Sequence, residues 1–402
     1  MPQMRRRRRR PNWPLRWWTF LVTLGFGFFF SIQTYRAIHG VGSRVYGIDW
    51  GLAMLSASLD SVVGFWFFVV GATIGSFLNV VAYRVPRGRG VGGNSRCPYC
   101  ATPVDSLDNL PIFGWLKLRG RCRTCRLPIS PQYPLVEAFV AVAFFVVYVS
   151  EVLSGGANLP SGSIAAAATL MQVQLSLSLV LRVITYLVLL SGLIAAALIA
   201  VQKQRVPLKL YVYCTAPWLV ATLAWPPSVI VPWRAAKVGA TADGRIDALI
   251  TQVAGAAATL VIARLLAPVL YPGFDRRLVD ERPSTCGARQ FFGAMTAVGT
   301  LIGWQSATAY GWILMAIALA GAVMLRAFAE RFQLFDLTVW VGVALLIFRA
   351  FWRPLFHGEI LPTSIAEVMR HVLAALMLVP CAWLLRWLAD SSPVLQRGSN
   401  QA

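Results

Sequence analysis

Apolar runs of about 20 residues recur along the chain, separated by short polar blocks in which basic residues predominate. The runs cover about 17–30, 61–82, 134–153, 176–201, 210–226, 246–271, 291–304, 308–326, 334–351 and 368–388. A helix needs about 20 apolar residues to cross the hydrocarbon core of a bilayer. The pattern predicts an all-α polytopic membrane protein with about ten transmembrane helices. The run at 291–304 is short, and 291–326 also reads as one long broken helix. Between 84 and 133 the pattern stops: no run there has spanning length, and paired cysteines punctuate the stretch.

Composition supports the membrane reading. Hydrophobic residues make up 57% of the 402 and charged residues 13%, against about a quarter charged in an ordinary soluble domain. A soluble core this apolar lacks the polar residues to cover it. The net charge is +21, a value that taken alone suggests nucleic-acid binding. Here the basic residues sit in short blocks between apolar runs, which orients helices in a bilayer and leaves no nucleic-acid partner implied.

Charge placement also predicts topology. Arg5 to Arg10 open the chain, then Trp17, Trp18 and an apolar run to about Phe30. A small-x-small cleavage site is missing after the run, so it reads as a retained signal-anchor helix. Alternation then puts 84–133 in the cytoplasm. It carries Arg84, Arg87, Arg89, Arg96, Lys117, Arg119, Arg121, Arg123 and Arg126 against only Asp105 and Asp108. The next cytoplasmic loops hold Lys203, Arg205 and Lys209, then Arg276, Arg277, Arg282 and Arg289. Both termini come out cytoplasmic by the positive-inside rule. The arginine tract at 5–10 also suits anionic lipid headgroups.

The island between the helices carries the clearest chemistry. Cys97 and Cys100 form one C-x2-C pair, and Cys122 and Cys125 another, with the 21 residues 101–121 between them. Two thiolate pairs on two turns can meet around one tetrahedral zinc ion, a closed structural site. Disulfides would need an oxidising compartment, and a redox role suits one pair better than two. The spacing therefore points to a cytoplasmic four-cysteine zinc ribbon, whose fold the metal would hold in place of a large core. Cys214, Cys286 and Cys381 are scattered and are given no role.

The order of segments around these pairs resembles a known family. "GATIGSFLNVVAYRVPRG" (71–88) precedes the first pair, "LDNLPIFGWLKLRGRC" (107–122) leads into the second, and "RLPISPQYPLVEAFVA" (126–141) follows it. This order, over about 65–145, resembles the N-terminal domain of the bifunctional prepilin leader peptidases, bacterial inner-membrane enzymes. They cleave type IV prepilins and type II secretion pseudopilins and then N-methylate the new terminus. Gly75, Ser76, Asn79, Arg84, Pro86, Asp108, Asn109, Gly120, Cys122, Cys125, Pro128 and Glu137 stand where the family pattern puts them; Thr102 replaces a histidine frequent in the family.

In the family two aspartates inside the membrane share a proton and activate water. This sequence departs there. "LIAVQKQRVPLKL" (198–210) aligns by its proline and puts Ala200 at the first aspartate position, with Leu208 after Pro207. "TAVGTLIGWQSA" (296–307) resembles the tail of the second motif, and counting back puts Phe291 at its aspartate. Independently of alignment, no Asp or Glu occurs between Glu151 and Asp243, or between Glu281 and Glu330. No catalytic residue for proteolysis is identified.

The expected organisation is an extra helix in 1–60, the family's N-terminal domain in 61–153 with the ribbon at 84–133, a degenerate protease region in 154–330, and extra helices in 331–402. The resemblance implies prepilins or pseudopilins as partners and S-adenosylmethionine as methyl donor. The polar residues Asn79, Arg84, Asp108, Asn109, Gly120 and Glu137 are then the candidates for methyl transfer or substrate binding. A structural role competes for them, with Gly120 making only a turn. Two other readings remain: a noncatalytic scaffold or assembly factor that docks through the ribbon, and a working peptidase with relocated acids.

Overall fold

The computed structural model describes residues 24–35, 50–160, 173, 176–231, 242–271, 283–325, 337–353 and 365–390. Among these the protein is helical. Its extended pairing is limited to two isolated bridges, Arg96 with Pro103 and Arg121 with Pro128. The principal helices are α1 (24–35), α2 (Trp50–Arg84), α3 (Phe113–Lys117), α4 (Gln132–Val147), α5 (Leu177–Val201), α6 (Leu208–Ala224), α7 (Ala242–Leu270), α8 (Pro283–Ile302), α9 (Ala307–Leu325), α10 (Leu337–Ala350), α11 (Ile365–Leu376) and α12 (Leu378–Asp390). Every apolar run read from the sequence contains helix. Six helical segments are long and apolar enough to cross a membrane, and Leu208–Ala224 and Leu337–Ala350 are shorter apolar helices. This is an all-α polytopic membrane protein with a four-cysteine island.

One helix differs from the reading in an instructive way. α2 starts at Trp50, well before the apolar run at 61, because its early polar residues do not interrupt helix. The hydroxyls of Ser56, Ser58 and Ser61 donate back to the carbonyls of Ala53, Met54 and Ala57 at 2.8–2.9 Å, which satisfies them inside the helix. The runs at 291–304 and 308–326 are two separate helices, as first read, and not one long broken helix. Gly303, at φ +72°, ends α8, and the short turn Trp304–Ser306 leads into α9. A left-handed residue cannot continue a right-handed helix, and glycine adopts it without a Cβ clash.

The chain divides into two compact units: Met1–Ser76 with Gly92–Phe145 and Ala168–Gln172, and Phe77–Val91 with Val146–Ala167 and Val173–Ala402. Within the first, α2 and α4 touch backbone to backbone. A Cβ on Gly71 would lie 2.8 Å from Ala141 Cα, and one on Gly75 2.8 Å from Glu137 Cα. Glycines four residues apart share a helix face and let a second helix approach closely. Phe26 of α1 lies edge-on to Phe65, Phe68 and Phe145.

The second unit is the larger bundle. α7 and α8 meet closely: a Cβ on Gly255 would stand 2.1 Å from the Gly299 carbonyl oxygen. α6 is pinned to α8 by Trp218 Nε1 donating to the Thr300 carbonyl at 2.8 Å and by the Tyr211 hydroxyl donating to the Gln290 carbonyl at 2.9 Å. Cys214 is buried with its side chain against Gly192, the packing role of a small apolar residue. The arginine tract at 5–10 lies outside the described residues, and Cys286 falls within α8.

Candidate metal centre and its supporting island

The four cysteines converge. Their sulfurs all lie within 4.8 Å of one another, with Cys97 to Cys125 at 3.8 Å and Cys100 to Cys122 at 3.9 Å. A tetrahedral ion with metal–sulfur bonds of about 2.3 Å needs sulfur–sulfur edges of about 3.8 Å. The donor set therefore fits a four-thiolate ion with no position left open.

Each pair sits on a knuckle of the same build. Ala101 N donates to the Cys97 carbonyl and Cys97 N to Thr102; Arg126 N donates to the Cys122 carbonyl and Cys122 N to Leu127, all at 2.9–3.1 Å. The residue after each second cysteine is left-handed, Ala101 at φ +56° and Arg126 at φ +62°. The two bridges, Arg96 to Pro103 and Arg121 to Pro128, close the knuckles alike. The sequence carries this duplication as Arg-Cys-x-x-Cys-x-x-Pro at 96–103 and 121–128. A search for long fixed-period repeats passes over two copies this short.

The thiols compete for charge. The Thr102 hydroxyl, 3.3 Å from the Cys100 sulfur, is the largest influence holding that thiol down to about 6, followed by the Thr102 amide. The amides of Cys125 and Thr124 lower Cys122. Against the pull of the Leu127 amide, burial and the sulfurs of Cys122, Cys100 and Cys97 push Cys125 up to about 11. Four sulfurs this close resist ionising together, and a bound cation reverses that resistance.

Asp108 ties the island together. Its carboxylate accepts Arg123 Nε and Nη2 at 2.5 Å each and lies 3.3 Å from Lys117 Nζ. The bidentate Arg123 guanidinium, opposed by burial, holds the carboxyl below its usual range. Glycine at 114 lets α3 pass the same residue, since a Cβ there would meet the Asp108 carbonyl oxygen at 2.0 Å. Ile112 then stands at φ +63°, ψ −55°, with Phe113 N donating across it to the Pro111 carbonyl at 2.6 Å. That is a γ-turn of the rare, strained kind, unusual for a β-branched residue. Glu137 Oε2 accepts the Ile112 amide at 2.6 Å and supports the turn.

The six candidates for transfer or binding are placed as follows. Asn79 is buried in α2. Arg84 ends α2, with Nη1 donating to the Gly90 carbonyl at 3.4 Å. Asp108 and Glu137 are buried in the contacts just given, and Asn109 is exposed. Gly120, at φ +66°, has its Cα face against the Trp115 indole; a Cβ would lie 2.6 Å from the ring. Trp115 Nε1 in turn donates to the Ile129 carbonyl at 3.1 Å. Gly120→Ala is expected to destabilise the island by about 1–3 kcal/mol, from left-handed strain on a residue with a Cβ and displacement of the indole. Trp115 fluorescence followed through thermal unfolding checks it; an unchanged transition contradicts it.

Ala200 and Phe291, which the sequence resemblance sets at the family's protease aspartates, lie in the larger unit. Ala200, near the end of α5, is 5% exposed and Phe291, in α8, is 0% exposed. Phe291 packs against Tyr271, ring centroids 6.2 Å apart. Apolar packing fills both positions.

With this geometry in hand, comparison with known proteins is specific. Residues 69–151 match the family described as the bacterial peptidase A24 N-terminal domain. A prepilin leader peptidase/N-methyltransferase of Myxococcus xanthus (strain DK1622) is 48% identical over 81 residues, 20% of this chain and 24% of that protein. Proteins of the same description from Pectobacterium carotovorum subsp. carotovorum and Klebsiella pneumoniae are 41% identical over 105 residues and 38% identical over 100. Those matches cover 20% and 23% of this chain and 38% and 44% of the relatives. The chain thus spans less than half the length of these relatives. No solved structure matches. Residues 69–151, the island and the helices that flank it, match the bacterial peptidase A24 N-terminal domain, and over that segment the chain is similar to prepilin leader peptidase/N-methyltransferases.

Proposed function

We propose that this chain is a family member that has lost aspartyl proteolysis while keeping the ability to bind prepilin-type segments or methylate their N-termini. One observation carries the reading: Ala200 and Phe291, buried and apolar, stand where the family's route needs facing carboxylates. Cleaving an amide by that route takes one acid to accept a proton from water and a second to give one to the leaving nitrogen. The carboxylate-free stretches 152–242 and 282–329 support the same conclusion.

On this reading the four-cysteine centre holds zinc as a structural ion, and the protein resides in the bacterial inner membrane with both termini and the ribbon cytoplasmic. Its parts are 1–60, 61–153, 154–330 and 331–402, its partners are prepilins or pseudopilins, and the tract at 5–10 touches anionic headgroups. S-adenosylmethionine, when bound, would supply an electrophilic methyl group to a pilin's free N-terminal amine. Asn79, Arg84, Asp108, Asn109, Gly120 and Glu137 are the residues proposed to serve that transfer. Asp108, Gly120 and Glu137 also hold the island's own fold. The exposed Asn109 is therefore where a loss of transfer with fold intact is most informative.

The test uses purified protein in detergent, a prepilin peptide spanning the leader junction, a pre-cleaved pilin peptide and radiolabelled S-adenosylmethionine. The expected result is no cleavage, with label entering the pre-cleaved peptide and falling at least about tenfold in Asn109→Ala. Cleavage that disappears when one of the protein's own carboxylates, such as Asp247, is replaced by its amide overturns the reading. Neither cleavage nor label, with the peptide still bound, identifies a noncatalytic scaffold.

A further inference from the structure

The strained turn at 110–113 presents two large apolar side chains outward, Leu110 at 51% exposed and Phe113 at 46%. Its backbone donors are used inside the protein. Ile112 N donates to Glu137, Phe113 N to the Pro111 carbonyl and Gly114 N to the Leu110 carbonyl, and Pro111 carries no N–H. A backbone satisfied in this way can meet an apolar medium. Leucine and phenylalanine side chains left in water are unfavourable.

The turn is tied at the level where α4 enters the membrane. The spanning segment Gln132–Val152 has 21 residues, about 32 Å at 1.5 Å per residue, against a hydrocarbon core of about 30 Å. It has no length to spare, so Gln132 stands at the edge of the core. Glu137 lies five residues further in, about 8 Å along the axis, and helix side chains lean back toward the N-terminus. Its Oε2 accepts the Ile112 amide at 2.6 Å. That bond sets Ile112, and Leu110 and Phe113 beside it, at the boundary between headgroups and acyl chains. Tyr133 and Leu135 at the same end of α4 are exposed as well, and amphipathic rings such as tyrosine favour that boundary. Residues 92–131 carry Arg96, Lys117, Arg119, Arg121, Arg123 and Arg126 against only Asp105 and Asp108. The excess positive charge is complementary to an anionic leaflet.

We propose that the turn at 110–113 is a membrane-surface anchor, with Leu110 and Phe113 inserted below the headgroups of an anionic leaflet and the island's excess charge set against those headgroups. The depth of the Ile112–Glu137 bond favours lipid as the occupant, since a soluble protein would have to share that level with the headgroups. The anchor is independent of methyl transfer and of the loss of proteolysis. It holds the cysteine centre against the bilayer surface. No covalent step is involved.

The experiment installs the photoreactive residue benzoylphenylalanine at one position of the full chain, in nanodiscs of phosphatidylglycerol or of phosphatidylcholine. Irradiated protein is digested, and lipid adducts are counted by mass spectrometry. Leu135, 62% exposed on the spanning helix, sets the reference yield. The expected result in phosphatidylglycerol is an acyl-chain adduct at 113 within about threefold of the yield at 135. The yield at 113 falls at least about threefold in phosphatidylcholine, and by a similar factor in phosphatidylglycerol when Arg96, Arg121 and Arg126 are together replaced by glutamine. Position 113 keeps an aromatic ring, and position 110 gives a second reading where the 113 variant fails to fold. Yields at both positions at least about tenfold below that at 135, or equal yields in the two lipids, overturn the proposal. Replacement of the lipid adducts by cross-links to an added prepilin peptide also overturns it and identifies a peptide-docking surface.

Discussion

Cys97→Ser is expected to release the metal and unfold the island, while the helices on either side stay helical. The island has few large side chains to bury, and Asp108, Trp115 and the two knuckles are its main internal ties. Apparent binding energies of structural zinc in small finger peptides are about 10–16 kcal/mol at neutral pH, and the unfolded chain has no preformed site, so that energy acts as folding energy. Removing one of four ligands forfeits enough of it to leave the island unfolded at ordinary metal concentrations. Metal content measured by plasma mass spectrometry should fall from about one ion per chain to well below a half. Amide exchange at Cys97 and Cys122, whose N–H groups close the knuckles, should lose protection. Cys214→Ser, at a buried thiol packed on Gly192, should change neither. Full metal occupancy and full protection in Cys97→Ser would mean that the knuckles stand without the ion.

The island was legible in the sequence because its chemistry is local. Two C-x2-C pairs bring their own sulfurs together on tight turns, and the flanking motifs read in order along the chain. The spanning helices were legible for a different reason: in a bilayer every backbone group must be satisfied within the segment, so a long apolar run leaves only helix. What hydropathy passed over depends on contacts between distant residues or on backbone geometry. The polar start of α2 reads as a loop until the serine hydroxyls are seen returning to carbonyls one turn back. The spaced Gly71 and Gly75 carry a helix-packing signal in plain view. Arg205, Arg264 and Arg289 were counted as topology markers or not at all, since nothing local tells that three arginines from three segments share a cavity.

Glu151 shows the same limit at its strongest, and removing it is expected to cost about 3–5 kcal/mol. It follows α4 in a π-helical turn, Tyr148–Val152, and is 0% exposed. Its carboxylate accepts both Nε and Nη2 of Arg349 of α10, the second at 2.9 Å. Arg349 is 1% exposed, and its guanidinium also lies 4.1 Å from the Tyr186 ring centroid on α5. Nη1 has no hydrogen-bond partner among the described residues. The carboxylate is thus the principal group compensating this buried charge. Breaking a buried pair from one side leaves the other charge uncompensated, which is why the loss exceeds the net contribution of the pair itself. The pair also joins parts of the chain 198 residues apart. Around it the loop is clasped further, with Asn158 Nδ2 donating to the Arg349 carbonyl and Arg353 N to the Asn158 carbonyl. Glu151→Ala should lower the thermal midpoint in detergent sharply, and Arg349→Met should do so less. The double variant should recover most of the difference, because two apolar side chains leave no charge to solvate. A double-mutant cycle measures that coupling. Additive single effects, or a Glu151→Ala loss under about 1 kcal/mol, would show that Arg349 finds another anion and that the pair does not hold α10 to the segment after α4.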